Sequence, residues 1–296
     1  MAYKSLNGVK MEVSVLINTL NEEKNIKNCL ESVKWADEII IVDMHSEDRT
    51  VEIAREYTDQ IFFHKRMGYA DPARQFALDQ ASCEWVLVVD ADEIVPRKLR
   101  DRLKEVMESD LADVVNIPHN NYFAGKQVCH MGWGPLQDLH PRFFKKKYLH
   151  FGDQIHDFMR ISEEARHYDL SDPEEGFIHF SYLDFEHYID KALNHYTTIE
   201  AKNIFEGKKV GYKLGEHVPG ILFRLFRGFF DVYIRDKGYK DGFRGLSISF
   251  LSVIYNLIVY LKLGLMKEYN TTHTREKIRK EYQKVTDNVL LEYRDE

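Results

Sequence analysis

The chain has 296 residues, a formal net charge of -7 and 44% hydrophobic residues, enough for a buried core in one large α/β domain with an appendage or in two modest domains. The acidic balance argues against nucleic acid as a partner, because nucleic-acid binders carry a basic footprint. Three widely spaced cysteines (Cys29, Cys83, Cys129) without a CxxC pair argue against a disulfide framework or zinc knuckle, and no signal-peptide pattern opens the chain, so a cytoplasmic protein with reduced thiols is expected.

Val13 to Ile17 is an apolar, β-branched run broken only by Ser14, which predicts a buried parallel strand. Asn21 is placed to cap a helix whose stripe is Ile26, Cys29, Leu30 and Val33, at i, i+3, i+4 and i+7. A second strand spans Ile39 to Val42, a helix runs from about Thr50 to Tyr57, and a short third strand covers Gln60 to Phe63. Pro72 suits the first turn of the next helix, and Trp85 to Val89 is a fourth strand ended by Asp90. Strands alternating with helices of this length imply βαβ units and a mostly parallel sheet. From about residue 110 the rhythm changes, and ten of the thirteen histidines fall between His119 and His217. A helix is expected from about Asp184 to Phe205, an apolar stretch covers Leu246 to Met266, and a charged, solvated helix follows Glu268.

Open α/β sheets bind ligands beyond the carboxyl ends of their strands. Those ends carry Asn18, Thr19, Asn21 and Glu22, then Asp43, Ser46 and Asp48, then Asp90-Ala91-Asp92. Each such residue alone is an ordinary turn former; three strand ends agreeing is harder to ascribe to turns. Two carboxylates one small residue apart repel and raise each other's pKa unless a cation lies beside them. Mg²⁺ or Mn²⁺ takes one or two carboxylates and fills its shell with water and phosphate oxygens, which suits a nucleotide diphosphate. Neither GxGxxG nor GxxxxGK[ST] is present, which disfavours a dehydrogenase-like dinucleotide fold and a P-loop NTPase.

SVLINTLNEEKNIKNCLESVKWADEIIIVDMHSEDRT, followed by VLVVDADEIVP, resembles the family 2 glycosyltransferases of GT-A fold. WGPLQDLHPRFFKK, IHDF and GYKDGFRGL extend a looser resemblance to bacterial lipopolysaccharide inner-core beta-1,4-glucosyltransferases. The resemblance implies a GT-A nucleotide-sugar-binding domain over residues 1–150 and an acceptor-side, mainly helical region over 151–296. It implies that Asp43 contacts the base, that Thr19, Asn21 and Glu22 line the nucleotide pocket, and that Asp90 and Asp92 contact ribose and metal. The expected reaction is inverting transfer from a nucleotide diphosphate sugar, a UDP-hexose, to a glycan or lipid-linked acceptor such as lipopolysaccharide core. Asp138 and Asp157 are the candidate bases, and His156 is a candidate third metal ligand. The similar enzymes often carry His-Glu where this chain has His156-Asp157, which leaves the base open. Arg142 reads equally as a phosphate partner or a solvated surface arginine.

No HxxxH or HExxH spacing supports a zinc site among the histidines, which read as packing or hydrogen-bonding residues. Residues 221–266 interleave Arg and Lys with aromatics and then run apolar, which fits peripheral contact with the inner face of the membrane; an ordinary buried helix pair fits too. Two rival functions are an Asp-dependent phosphohydrolase, disfavoured because its DxD belongs on the first strand, and a non-catalytic nucleotide-sugar or membrane-binding scaffold.

Overall fold

β1 (Val13–Thr19) is buried at every position, as a parallel strand covered on both faces must be. It is followed by α1 (Ile26–Val33), β2 (Glu38–Asp43), α2 (Thr50–Ala54), β3 (Ile61–Phe63), α3 (Asp71–Gln80) and β4 (Trp85–Asp90), the succession expected from periodicity. β1 pairs in parallel with β2 and β4, and β2 with β3. The stripe Ile26, Cys29, Leu30 and Val33 is the buried face of α1. Asn21, however, does not cap α1. It sits at φ 58°, a left-handed conformation that asparagine tolerates, and its Oδ1 accepts from the backbone N–H of Glu47 at 2.8 Å. Its side chain ties two loops together instead of ending a helix.

The structure is a computed structural model that describes residues 12–66, 71–151, 159–208 and 218–292. The chain divides into two compact units, residues 1–184 with 236–245, and residues 185–235 with 246–296. In the first unit, β4 is followed by β5 (Glu93–Ile94), α4 (Arg97–Ser109), β6 (Val114–Phe123), β7 (Lys126–Gln127), β8 (Leu139–Lys145), β9 (Leu149–His150), β10 (Arg160–Ile161), β11 (His167–Asp169) and β12 (Phe177–Tyr182). The main sheet has the order β3-β2-β1-β4-β8-β6-β12-β5. β8 runs antiparallel to both β4 and β6, whereas β12 is parallel to β6. Side chains alternate across β1: Val13, Val15 and Ile17 join Leu30, Leu99 and Leu103 in one core cluster, and Leu16 joins Ala73, Ala77 and Leu78 in the other.

The second unit is helical. α5 (Phe185–Tyr188), a π-helical stretch over Ile189–Tyr196 and α6 (Thr197–Phe205) fill the segment expected as one helix. α7 (Val218–Phe230), α8 (Gly242–Glu268) and α9 (Thr274–Glu292) follow. Lys262, the single charge in the apolar stretch of α8, lies 3.3 and 2.9 Å from the carbonyls of Leu193 and Asn194 and 2.7 Å from the hydroxyls of Thr197 and Thr198. The widened turn is thereby satisfied from outside. Val259, Leu263 and Met266 of α8 pack with Ala201. Another stripe of α8, Phe250, Ile254, Leu261 and Leu265, is 40–55% exposed, as are Phe223, Phe226 and Phe230 of α7 at 50–71%. Among the described residues, the helix over Gly238–Glu268 is long and apolar enough to cross a membrane, yet only 22% of its most apolar window is buried.

Candidate active site

The parallel register aligns the strand ends. Thr19 lies beside Asp43 and Asn18 beside Asp90. Asp43 is fully buried, and its carboxylate accepts from Thr19 Oγ1 at 2.9 Å and from the Ser46 backbone N–H and hydroxyl at 2.8 and 2.5 Å. The loops after β1 and β2 are zipped by further bonds. Ser46 Oγ accepts from the Asn21 N–H, Thr50 Oγ1 from the Glu22 N–H, and Asp48 Oδ2 from the Glu23 N–H. Glu22 also accepts from Asn25 Nδ2 at 2.8 Å. The four residues assigned to the nucleotide pocket therefore share one preorganised rim. Beside them, Asn18 Oδ1 is buried without a hydrogen-bond partner among the described residues, an acceptor that is costly to leave unfilled.

The DxD segment arrives on β4. Asp90 accepts from Arg74 at 2.9 and 3.2 Å and from Arg142 at 2.7 Å. Three residues on, the fully buried Glu93 accepts from the Asp90 backbone N–H at 2.8 Å and faces Arg142 Nη2 at 3.3 Å. Burial pushes the Asp90 pKa upward, but the Arg142 and Arg74 guanidinium charges outweigh it and hold the carboxyl well below its usual range. Glu93 is lowered too: burial opposes ionisation and Arg142 overcomes it. The Asp90 carboxylate of the DxD is thus balanced within the chain, by arginine. Arg142 is no solvated surface residue, since its side chain is only 11% exposed. Burial works against its charge, and the carboxylates of Asp90 and Glu93 nonetheless raise its pKa above the usual guanidinium value. Arg142 Nη1 is buried with no hydrogen-bond partner among the described residues, and with Arg74, His140 and Pro141 it lines a cavity of about 150 Å³. A buried guanidinium with unused donor capacity suits phosphate oxygens.

Asp92, nearly buried, faces His179 of β12, with Oδ2 and Nε2 3.8 Å apart. Burial disfavours the charged His179 ring, but Asp92, Glu93 and Asp90 prevail and raise its pKa. His179 Nδ1 lies 2.6 Å from Asn121 Oδ1. Asp138 accepts from Asn121 Nδ2 at 2.7 Å and pairs with His140 Nε2 at 2.7 Å. Burial works to raise the Asp138 pKa, but those two hydrogen bonds dominate and draw it down to about 2. His119, also buried, reaches the Asp138 carbonyl with Nδ1 at 3.2 Å and places Nε2 3.1 Å from Glu93. The loop carrying Asp138 is clipped by Asp241, which accepts from the Cys129 and His130 N–H groups at 3.1 and 3.0 Å. It is tight at Gly134, where a Cβ would lie 2.2 Å from the Cys129 carbonyl oxygen. His156 and Asp157 lie outside the described residues.

The structure therefore brings Asp90, Asp92 and Asp138 to one region and adds residues that the sequence reading did not place there: Arg74, Glu93, His119, Asn121, His140 and His179. The clustered histidines come from β6, β8 and β12, so no local spacing could reveal them. Two groups fit a divalent ion. Asp92 and His179 present an oxygen and a nitrogen separated by more than a hydrogen bond. His119, Asp138 and His140 also bring ligand atoms within 4.8 Å of one another, but there Asp138 and His140 are already bonded to each other.

Residues 14–165 match the family described as Glycosyl transferase family 2. The chain is 30% identical over 268 residues to the uncharacterized glycosyltransferase RP128 of Rickettsia prowazekii, covering 87% of each chain. It is 37% identical over 103 residues to the lipopolysaccharide core biosynthesis glycosyltransferase LpsC of Rhizobium meliloti, covering 33% of this chain and 38% of that protein. S. aureus TarS residues 1–349 in complex with UDP is similar in structure, with 18% identity, a TM-score of 0.46 and coverage of 88% of this chain and 92% of that one. By the match over half its length and the full-length relative, the chain belongs to glycosyl transferase family 2, with the expected GT-A-type α/β domain and a mainly helical C-terminal region.

Proposed function

We propose that the chain is a metal-dependent, inverting glycosyltransferase that moves a hexose from UDP to a hydroxyl of a glycan or lipid-linked acceptor of the lipopolysaccharide-core kind. The observation that carries this reading is the pairing of Asp92 with His179 beside the arginine-lined cavity, at the carboxyl ends of β1, β2 and β4. Thr19, Asn21, Glu22 and Asp43 hold the nucleoside through their zipped loops. Asp43 acts there through Thr19 and Ser46, which occupy its carboxylate. Asp90 anchors Arg142 and Arg74, and turns to ribose or metal only by releasing one of them.

Mg²⁺ or Mn²⁺ fits Asp92 with His179, near Asp90, and His156 remains a further proposed ligand. When bound, the ion supplies Lewis-acid stabilisation of the departing diphosphate. Arg142 offers its unpaired Nη1 to a phosphate oxygen. Asp138 or Asp157 takes the proton of the acceptor hydroxyl, on the face opposite the diphosphate as single displacement requires. The Asp138 carboxylate is held ionised by His140 and Asn121, ready to accept. We place the donor side in residues 1–150 and the acceptor side in 151–296, except that His179 of β12 faces Asp92 and that Asp138, a candidate base toward the acceptor, belongs to the first segment. LpsC acts in lipopolysaccharide core biosynthesis by its name, and the local similarity to it supports a surface-glycan acceptor. The exposed stripes of α7 and α8 support peripheral contact with the inner face of the cell membrane.

The test is incubation with Mn²⁺ and a panel of nucleotide sugars, following donor hydrolysis and transfer. UDP release from a UDP-hexose that stops in chelator is expected. Equal release in chelator contradicts the metal role, and no turnover of any nucleotide sugar contradicts the enzyme reading. Comparing Asp138→Asn with Asp157→Asn identifies the base as the variant that loses transfer.

A further inference from the structure

We propose that Asn121 is a positioning residue that fixes the ring of His179 toward Asp92 with one end of its amide and the carboxylate of Asp138 with the other. It deepens the metal-dependent reading and rests on it for the metal arm. Asn121 sits on β6 and is 3% exposed. Its Nδ2 donates to the Trp133 carbonyl at 3.0 Å and to Asp138 Oδ2 at 2.7 Å. Its Oδ1 accepts from His179 Nδ1 at 2.6 Å and from Ser181 Oγ at 3.0 Å. All four hydrogen-bonding positions of the amide are filled, the full capacity of the group.

Which end of an amide is nitrogen has to be inferred from its partners, and here they leave one answer. The Trp133 carbonyl and an ionised Asp138 only accept, so Nδ2 must face them. Oδ1 therefore faces His179, and His179 Nδ1 must carry the hydrogen. The lone pair of the neutral ring is then on Nε2, the nitrogen that faces Asp92 at 3.8 Å. A hydrogen bond from the remote ring nitrogen to a protein oxygen is how metal-binding histidines are usually oriented. The donor arm does separate work. It holds one oxygen of Asp138 while His140 holds the other at 2.7 Å, which sets the direction in which the carboxylate meets a hydroxyl. A buried asparagine costs desolvation unless all its bonds are made; here they join Asp138 to the Asp92–His179 pair.

Three measurements test this. In the wild-type chain, ¹⁵N NMR of the histidine side chains is expected to show His179 with Nδ1 protonated; a ring with bare Nδ1 overturns the proposal without any variant. Mn²⁺ binding in the presence of UDP, read by electron paramagnetic resonance, is then compared across two variants. Asn121→Leu removes both arms, and Mn²⁺ affinity is expected to fall about 10- to 100-fold, the usual cost of losing such an outer partner. Asn121→Asp keeps an acceptor for His179 but loses the donor to Asp138. Its Mn²⁺ affinity should stay within about threefold of wild type while kcat falls about tenfold or more at unchanged donor KM. Wild-type Mn²⁺ affinity in Asn121→Leu overturns the metal arm, and wild-type kcat in Asn121→Asp overturns the Asp138 arm. A wild-type chain that takes up no Mn²⁺ overturns the metal reading itself, a result distinct from either.

Discussion

The β1–β2–β4 edge and the β6–β8–β12 edge meet at one site and are assembled differently. On the first edge, strands consecutive in the chain are joined by single helices and all pair in parallel, so each strand end delivers its polar residues to the same side. Asn18, Thr19, Asp43 and Asp90 come together that way. On the second edge, β8 is antiparallel to its neighbours and β12 joins β6 across a long connection. Its site residues, His119, Asn121, Asp138, His140 and His179, meet only once register is set. The first edge binds by a rim of turns; the second is a buried polar network in which each member holds another.

That contrast gives the largest predicted effect. Asp92 is where the two edges face each other, and Asp92→Ala should reduce transfer about thousandfold, the several kcal/mol that a lost Lewis-acid contact costs. Its melting temperature should stay near that of wild type, because the arginines pair with Asp90 and Glu93 instead. Unaltered turnover would separate Asp92 from the chemistry. Arg142→Ala should behave in the opposite sense. It leaves Asp90 and Glu93 short of countercharge and should cost about 3–5 kcal/mol of folding stability, seen as a lower urea midpoint. An undiminished midpoint would show that Arg74 alone suffices.

The difference in legibility follows the same division. The first edge was readable because Val13–Thr19, Glu38–Asp43 and Trp85–Asp90 are apolar runs ended by polar residues, and helix periodicity filled the gaps. Asn21 reads from sequence as a cap, whereas its side chain bonds a loop 26 residues away, which propensity does not encode. Glu93 gave no signal: an acidic residue just past a DxD reads as surface, yet it is fully buried between Arg142 and His119. The histidine concentration between His119 and His217 was visible, but clustering of His119, His140 and His179 depends on strand order. A tight GWGP turn before Asp138 was the one local hint that this segment is constrained.

Acid titration sharpens the contrast further. Asp138 has a folded pKa of about 2, below the ordinary range of an aspartate. A group lowered in this way contributes stability that is complete above the unfolded pKa and lost as pH falls through the folded one. The contribution, roughly 2 kcal/mol, should fade from about pH 4 to about pH 2. Asp138→Asn should flatten that part of the stability profile relative to wild type; identical profiles would contradict the hydrogen-bonded carboxylate. His179 is raised and has the opposite sign: its pairing with Asp92 stabilises below the ordinary histidine pKa and is lost as pH rises through the folded value.

The smallest effect on stability concerns the second unit. Phe250→Ser with Leu261→Ser should change folding stability by about 0.5 kcal/mol or less per exposed site, yet weaken sedimentation with anionic vesicles severalfold. Undiminished vesicle binding would remove the outward stripe of α8 from the membrane reading.

The most direct test of the central claim is anomalous diffraction at the manganese edge from crystals soaked with UDP and Mn²⁺. The predicted result is one ion bonded to Asp92 and His179 at about 2.0–2.2 Å, with diphosphate oxygens completing its shell beside Arg142. An ion held instead by His119, Asp138 and His140, or UDP bound with no ion beside Asp92, would contradict it.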